Sequence, residues 1–160
     1  APTMVAATGG ARTRDVHVTS ETLAAARDSL STADPDETLT TVNLGTPHYS
    51  VAQIARLADL LGGRTVHERI TLYVNTARDT HAAAPAVAAL ERCGVPFVTD
   101  TCTYLTPIIE TGAGVAMSDS AKWAYYAPGN IGVTALFGTT ADCVESAVAG
   151  RVVRDESSWQ

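Results

Sequence analysis

Basic charge is scarce in this 160-residue sequence: Lys122 is its single lysine, and eleven lysine and arginine residues face seventeen aspartate and glutamate residues, for a formal charge of −6. Phosphate backbones are gripped by a clustered cationic excess, so nucleic acid is not an expected partner. Long apolar runs are missing too. None approaches the roughly 20 residues of a membrane-spanning helix, and the Ala/Thr/Gly-rich opening has no basic segment followed by an apolar one, so neither a membrane nor a secretory route is expected. The cytoplasm is the default location. Only three cysteines occur, Cys93, Cys102 and Cys143; an odd number cannot all pair internally, and their wide spacing is not that of a small disulfide scaffold. Reduced thiols or shared metal ligands are the remaining uses.

What is present describes an ordinary globular protein. A hydrophobic share of 46%, a charged share of 18% and twelve glycines exclude disordered and fibrous classes. A chain of this length suits one domain with one substantial core. Residues 1–14 lack a sustained period and read as an arm or linker, leaving 15–160 as a single domain. The first residue is alanine rather than methionine, which reads as processing or as a segment of something longer.

Along that domain, strand and helix signals alternate. DVHVTS (15–20) alternates as a strand does, with Thr19 or Ser20 placed to cap the helical ETLAAARDSL. LTTVNL (39–44) reads as a strand, GTPHY as a loop, and SVAQIARLADLLGG as a helix opened by Ser50 and stopped by Gly62 and Gly63. ITLYVNT (70–76), VPFVTDT (95–101), GVAMSDS (114–120) and IGVTALFG (131–138) read as further strands. Between and after them HAAAPAVAALERCG, AKWAYYAPG and TADCVESAVAG read as helices, the first with Pro85 near its opening turn and the second halted at Pro128 and Gly129. No internal repeat interrupts this order. The alternation predicts a layered α/β domain, αβα, with a mostly parallel sheet joined by right-handed crossovers.

Ligands in such sheets bind outside the carboxyl ends of the strands. There the sequence places Thr46, Pro47 and His48, then Arg78 and Asp79, then Asp100, Thr101 and Cys102, then Ser118, Asp119, Ser120 and Lys122, and finally Thr139, Thr140, Asp142 and Cys143. Polar strand-to-helix loops are common, and serine and threonine are ordinary caps, so the hydroxyl residues alone carry little signal. The thiols carry more. Cys102, in TDTCTY (99–104), ends an apolar run among hydroxyls and a carboxylate, and packing, nucleophilic and metal-binding roles all fit it. Cys143 falls in the first turn of a helix, where the dipole favours thiolate. Cys93 closes a helix and reads as packing. His48 fits a ligand, a proton carrier or an ordinary loop histidine, and Lys122 lies where an anionic ligand would meet a helix start.

Four ordered segments, LGTPHYSVAQIARLADLLGG, VTDTCTYLTP, MSDSAKWAYYAPG and FGTTADCVESAVAG, resemble the C-terminal part of the large-subunit region of the aconitase X family, iron–sulfur dehydratases related to aconitase; the likeness covers about residues 39–151. The resemblance implies an aconitase-like α/β fold and a hydro-lyase acting on a small hydroxy acid such as cis-3-hydroxy-L-proline or phosphomevalonate. It implies an iron–sulfur cluster with Cys102 and Cys143 as ligands and a third ligand from outside the chain, and substrate contacts from Ser118, Ser120 and Lys122, to which His48 is added as a candidate. Expelling hydroxide is difficult because the pKa of water is about 15.7, and an open iron site can accept that charge. The family also draws on an upstream part of the large subunit and a small swivel subunit or domain. Neither is found here, so these residues are expected to be a domain of a larger enzyme, inactive alone. The alternative is a non-catalytic α/β assembly module that binds a partner subunit and keeps its role when both thiols are replaced by serine. A zinc site from Cys102, Cys143 and His48 has too few closely spaced ligands to be favoured, and a cysteine hydrolase using His48 lacks a readable triad.

Overall fold

In the computed structural model, the structure describes residues 15–34, 37–112 and 114–159. Their order is α1 (Ser20–Ser29), β1 (Leu39–Tyr49), α2 (Val51–Leu61), β2 (Thr71–Thr76), α3 (Arg78–Ala83), α4 (Val87–Arg92), β3 (Phe97–Thr99), β4 (Val115–Ser118), α5 (Ala121–Ile131), β5 (Thr134–Phe137), α6 (Thr140–Ala149) and a final 3₁₀ turn, Glu156–Trp159. The strands form one sheet in the order β3-β2-β1-β4-β5. Every pairing is parallel, as the sequence predicts. The expected arm, residues 1–14, lies outside the described residues.

Local chemistry sets the element ends. Thr19, Ser50, Ser120 and Thr139 each accept a backbone N–H of the helix they open, which satisfies a donor that the first turn leaves orphaned. Gly62, Gly132 and Gly150 close α2, α5 and α6 in left-handed conformation. Four expectations need correction. Residues 15–19 form no strand; Val16 and Val18 alternate but stay exposed, and no strand among the described residues pairs with them. The helix expected over 81–94 is two short helices, because Ala84 leaves helical geometry immediately before Pro85. The expected loop 45–49 continues β1 across a register irregularity, and α5 runs through Pro128 to Ile131.

Alternation along the strands sorts side chains onto two faces. Val42, Leu44, Leu72, Val74, Val115, Met117 and Leu136 share one core cluster with Ile54, Leu57 and Leu61 of α2 and Val144 and Ala147 of α6. Ala116 and Ala135 face the other cluster, with Trp123, Ala124, Ala127 and Ile131 of α5 and with Tyr104 and Ile109. Those last two belong to the segment 100–112, which crosses from the edge strand β3 toward β4 without regular structure and occupies a helix's place. A stretch this long without its own secondary structure is uncommon in a compact domain and is usually functional.

Gly45 marks the point where β1 leaves regular register. Its φ is +81°, and a Cβ there would lie 2.4 Å from the Asn75 carbonyl oxygen and 3.1 Å from the Tyr49 ring. Gly45→Ala is therefore expected to destabilise the protein by about 2 kcal/mol or more, measured as a lower urea midpoint at unchanged slope; an unchanged midpoint would show that the β1 bend tolerates a side chain.

Candidate active site

Strand order reverses between β1 and β4, so crossovers leave these neighbours in opposite directions and their carboxyl ends open a crevice. A cavity of about 300 Å³ lies there. The end of β1 contributes Thr46, Pro47 and His48, with the Thr46-Pro47 peptide cis. The crossing segment contributes Thr101, Cys102, Tyr104 and Leu105, and the first turn of α5 contributes Lys122. Three residues singled out in the sequence, His48, Cys102 and Lys122, thus come together from remote segments. Cys102 is a free, half-buried thiol, while His48 and Lys122 are exposed.

The crossing segment is tied down on both sides of the thiol. Asp100 takes a left-handed φ of 58°, its carboxylate accepts the Arg78 N–H at 2.8 Å and pairs with the Arg78 guanidinium at 3.0 Å. The Cys102 carbonyl accepts N–H bonds from Leu105 and Thr106, both at 3.0 Å. Thr101 and Thr106 share a hydroxyl–hydroxyl bond.

Ser118, Ser120 and Cys143 are placed differently from the sequence expectation. Ser118 is fully buried; its hydroxyl donates to the Asn43 carbonyl at 2.7 Å and accepts the Ser120 N–H at 3.1 Å. The Ser120 hydroxyl donates to the Thr46 carbonyl at 2.8 Å and caps α5 through the Trp123 N–H. Neither serine lines the cavity. Their hydroxyl hydrogens are spent clamping β1 to β4. Cys143 has no exposed surface and packs in the cluster of α2 and α6, whereas Cys102 packs against the cluster on the other face of the sheet. The two thiols pack against opposite faces of the sheet. Burial pushes the Cys143 thiol well up, the carboxylates of Asp119 and Asp142 add to that, and Arg154 opposes it; desolvation outweighs the helix amino-terminus that would favour thiolate. Cys93, at the end of α4, packs as expected.

Among the described residues no group of three or more His, Cys, Asp or Glu could hold a metal ion. Cys102 offers one soft ligand, and a complete ligand set for an iron–sulfur cluster is not formed by these residues.

Asp119 stands among the polar groups that the sequence places after β4, but the sequence assigns it no role of its own. Tyr49 and Thr140 donate hydroxyl bonds to it, as do the backbone N–H groups of Gly45 and Asp119 itself. Burial nevertheless raises its pKa above the ordinary 3.8, outweighing those four donors. The Tyr49 hydroxyl is pushed upward by its own burial and then by the neighbouring Asp119 charge. Asp119 also lines a second cleft of about 420 Å³ with Arg56 and the Gly138–Ala141 turn into α6.

A five-stranded parallel sheet with helices on both faces and a cleft at its switch point defines a doubly wound α/β domain of the ligand-binding type. A family model described as the aconitase X third domain matches residues 39–149. The chain belongs to the aconitase X family. It is 38% identical over 165 residues to cis-3-hydroxy-L-proline dehydratase of Pseudomonas aeruginosa, covering 99% of this chain and 28% of that protein. It is 30% identical over 111 residues to the phosphomevalonate dehydratase large subunit of Methanosarcina mazei, covering 69% of this chain and 27% of that protein. The crystal structure of Thermococcus kodakaraensis aconitase X in its holo-form superposes with a TM-score of 0.65 at 23% identity, over 79% of this chain and 33% of that one, and shares the fold. The chain therefore spans between about a quarter and a third of the length of these relatives.

Because the folded state holds the Asp119 proton more tightly than the unfolded chain, Asp119 contributes stability that is fully present below the unfolded carboxylate value, near 3.8, and is lost as pH rises through its raised folded value. Asp119→Asn removes this dependence. Thermal midpoints of both proteins, measured from about pH 4 to 7, should show the wild type losing stability relative to the variant as pH rises; parallel curves would mean that the carboxylate is not perturbed.

Proposed function

We propose that this chain serves as the third domain of an iron–sulfur-dependent dehydratase, a hydro-lyase that removes water from a small hydroxy acid such as cis-3-hydroxy-L-proline. The observation that carries this reading is the convergence of His48, Cys102 and Lys122 on one switch-point cavity in a chain whose curated relatives bear dehydratase names. In this reading Cys102 furnishes one thiolate to a cluster whose other ligands come from outside the described residues. When bound, such a cluster supplies a Lewis-acidic iron that takes the charge of the departing hydroxide.

The chain's own residues have separate tasks. The Lys122 ammonium binds the substrate carboxylate as a charge-assisted donor. His48, which also lines the cavity, orients the acid or carries a proton at an imidazole nitrogen. Pro47, Tyr104 and Leu105 give the cavity an apolar side that excludes water. Leu105, Tyr125 and Tyr126 leave apolar surface exposed, with Tyr126 stacked on Tyr104 and edge-on to Tyr125. That surface suits cover by the rest of such an enzyme, an upstream part of the large subunit and a swivel subunit or domain. Ser118 and Ser120 act here through the clamp between β1 and β4 rather than by touching substrate, and Cys143 acts by packing. A cytoplasmic location is in keeping with a reduced Cys102.

The test uses the full-length protein purified without oxygen, assayed for iron, labile sulfide and dehydration of cis-3-hydroxy-L-proline and phosphomevalonate. Cys102→Ser should lose iron and activity together, and Cys143→Ser should keep its iron. Lys122→Met should raise KM by about 10- to 100-fold, the worth of a hydrogen bond to a charged group, with iron retained. A reconstituted wild type that holds no iron and dehydrates neither acid would refute the reading.

A further inference from the structure

The side chains of His48, Cys102 and Lys122 share no hydrogen bond with one another, yet Cys102 and Lys122 each adjoin a member of one buried hydrogen-bonded knot, and His48 lies two residues from a third. Its hub is Asn43, fully buried in β1. The Asn43 side-chain oxygen accepts from the Thr103 hydroxyl at 2.6 Å and from the Asn75 amide at 2.8 Å, and the Asn43 amide donates to the Thr46 hydroxyl at 3.2 Å. The Thr103 hydroxyl in turn accepts from the Trp123 indole N–H at 3.0 Å. Asn75 donates a second bond to the Leu44 carbonyl at 2.9 Å. Asn43, Asn75, Thr103 and Trp123 are all 0% exposed.

Three arms of the knot end at or next to a cavity residue. Thr103 follows Cys102, Trp123 follows Lys122, and Thr46 precedes the Pro47-His48 wall. A small polar network could have been replaced by apolar packing with little loss of stability. What apolar packing lacks is direction, because a hydroxyl that must donate to one atom and accept from another fixes its own rotamer and the backbone carrying it.

We propose that Asn43 and Thr103 are positioning residues of this site: the Asn43–Thr103–Trp123 chain sets the distance and orientation of the Cys102 thiol relative to the Lys122 ammonium. The geometry stands without the dehydratase reading; its effect on catalysis rests on that reading. Residues that orient ligating or binding groups from behind typically change affinity or activity by about 10- to 100-fold when altered.

The experiment compares Thr103→Val, Thr103→Ser and Trp123→Phe in the full-length enzyme. Thr103→Val keeps the shape and removes both bonds, Trp123→Phe removes the indole donor together with part of a buried ring, and Thr103→Ser keeps the hydroxyl. Two quantities are read: kcat and KM for cis-3-hydroxy-L-proline, and, in iron-stripped protein, the alkylation rate of Cys102 by iodoacetamide relative to Cys143. Cys143 reports global opening, so the ratio isolates the Cys102 segment. Thr103→Val should lower kcat by about 10- to 100-fold and raise the alkylation ratio; Trp123→Phe should act mainly on KM through Lys122; Thr103→Ser should restore both readouts. Wild-type kcat and alkylation ratio in Thr103→Val would overturn the proposal, as would a Thr103→Ser enzyme as impaired as Thr103→Val. If Thr103→Val does not fold, Trp123→Phe decides: wild-type KM and ratio overturn the proposal. A wild type without iron or activity whose alkylation ratio still responds to Thr103→Val refutes the dehydratase reading and supports the positioning role.

Discussion

A buried amide in the central strand must find partners for its polar atoms, because an unmade hydrogen bond in the interior costs more than a made one contributes. Asn43 meets that requirement by drawing in Asn75 from β2, Thr103 from the crossing segment and Thr46 from its own strand. The remaining shape of the carboxyl edge follows. Ser118 closes on the Asn43 carbonyl, Ser120 on the Thr46 carbonyl, and Trp123 on Thr103. Four sequence-distant segments are therefore registered against one another by directional bonds, while the apolar clusters on either face supply the bulk of the burial.

The fold was largely legible in the sequence because its devices are local. Ser50 before an amphipathic stretch and a glycine after it delimit α2 from either end, and β-formers bounded by such helices admit few arrangements other than a parallel sheet. What local pattern could not reveal was company. Val16 and Val18 alternate as well as any strand, but a strand needs a partner strand beside it, and among the described residues none pairs with 15–19. The continuation of β1 through Tyr49 was hidden for the opposite reason: Gly45, Thr46 and Pro47 carry turn chemistry, and only pairing of Tyr49 with Thr76 of β2 keeps that stretch in the sheet.

At the site, legibility divided along the same line. The rule that ligands gather at strand carboxyl ends located His48, Cys102 and Lys122, since position along the chain was enough to place them on that edge. It could not say which side of the sheet each would serve. Cys143 sits as near a helix start as its expected role required, but α6 turns that position toward Val144 and Ala147 and the opposite core, where burial suppresses thiolate. For Ser118 and Ser120 the sequence reported hydroxyls at the right edge, and the structure shows those hydroxyls consumed by backbone carbonyls. Asp119, between them, has its carboxyl pKa raised by burial, against the hydrogen bonds it accepts.

The passage from β3 to β4 has one more implication. Lacking a helix's internal ladder, residues 100–112 owe their order to tethers elsewhere: Thr76, Arg78 and Asn43 near the start, and Ile131 at the end. Such a span opens at lower free energy than the strands beneath it. Any molecule gripping Cys102 would stiffen the span in proportion to its affinity, so occupancy and local rigidity are two expressions of one equilibrium.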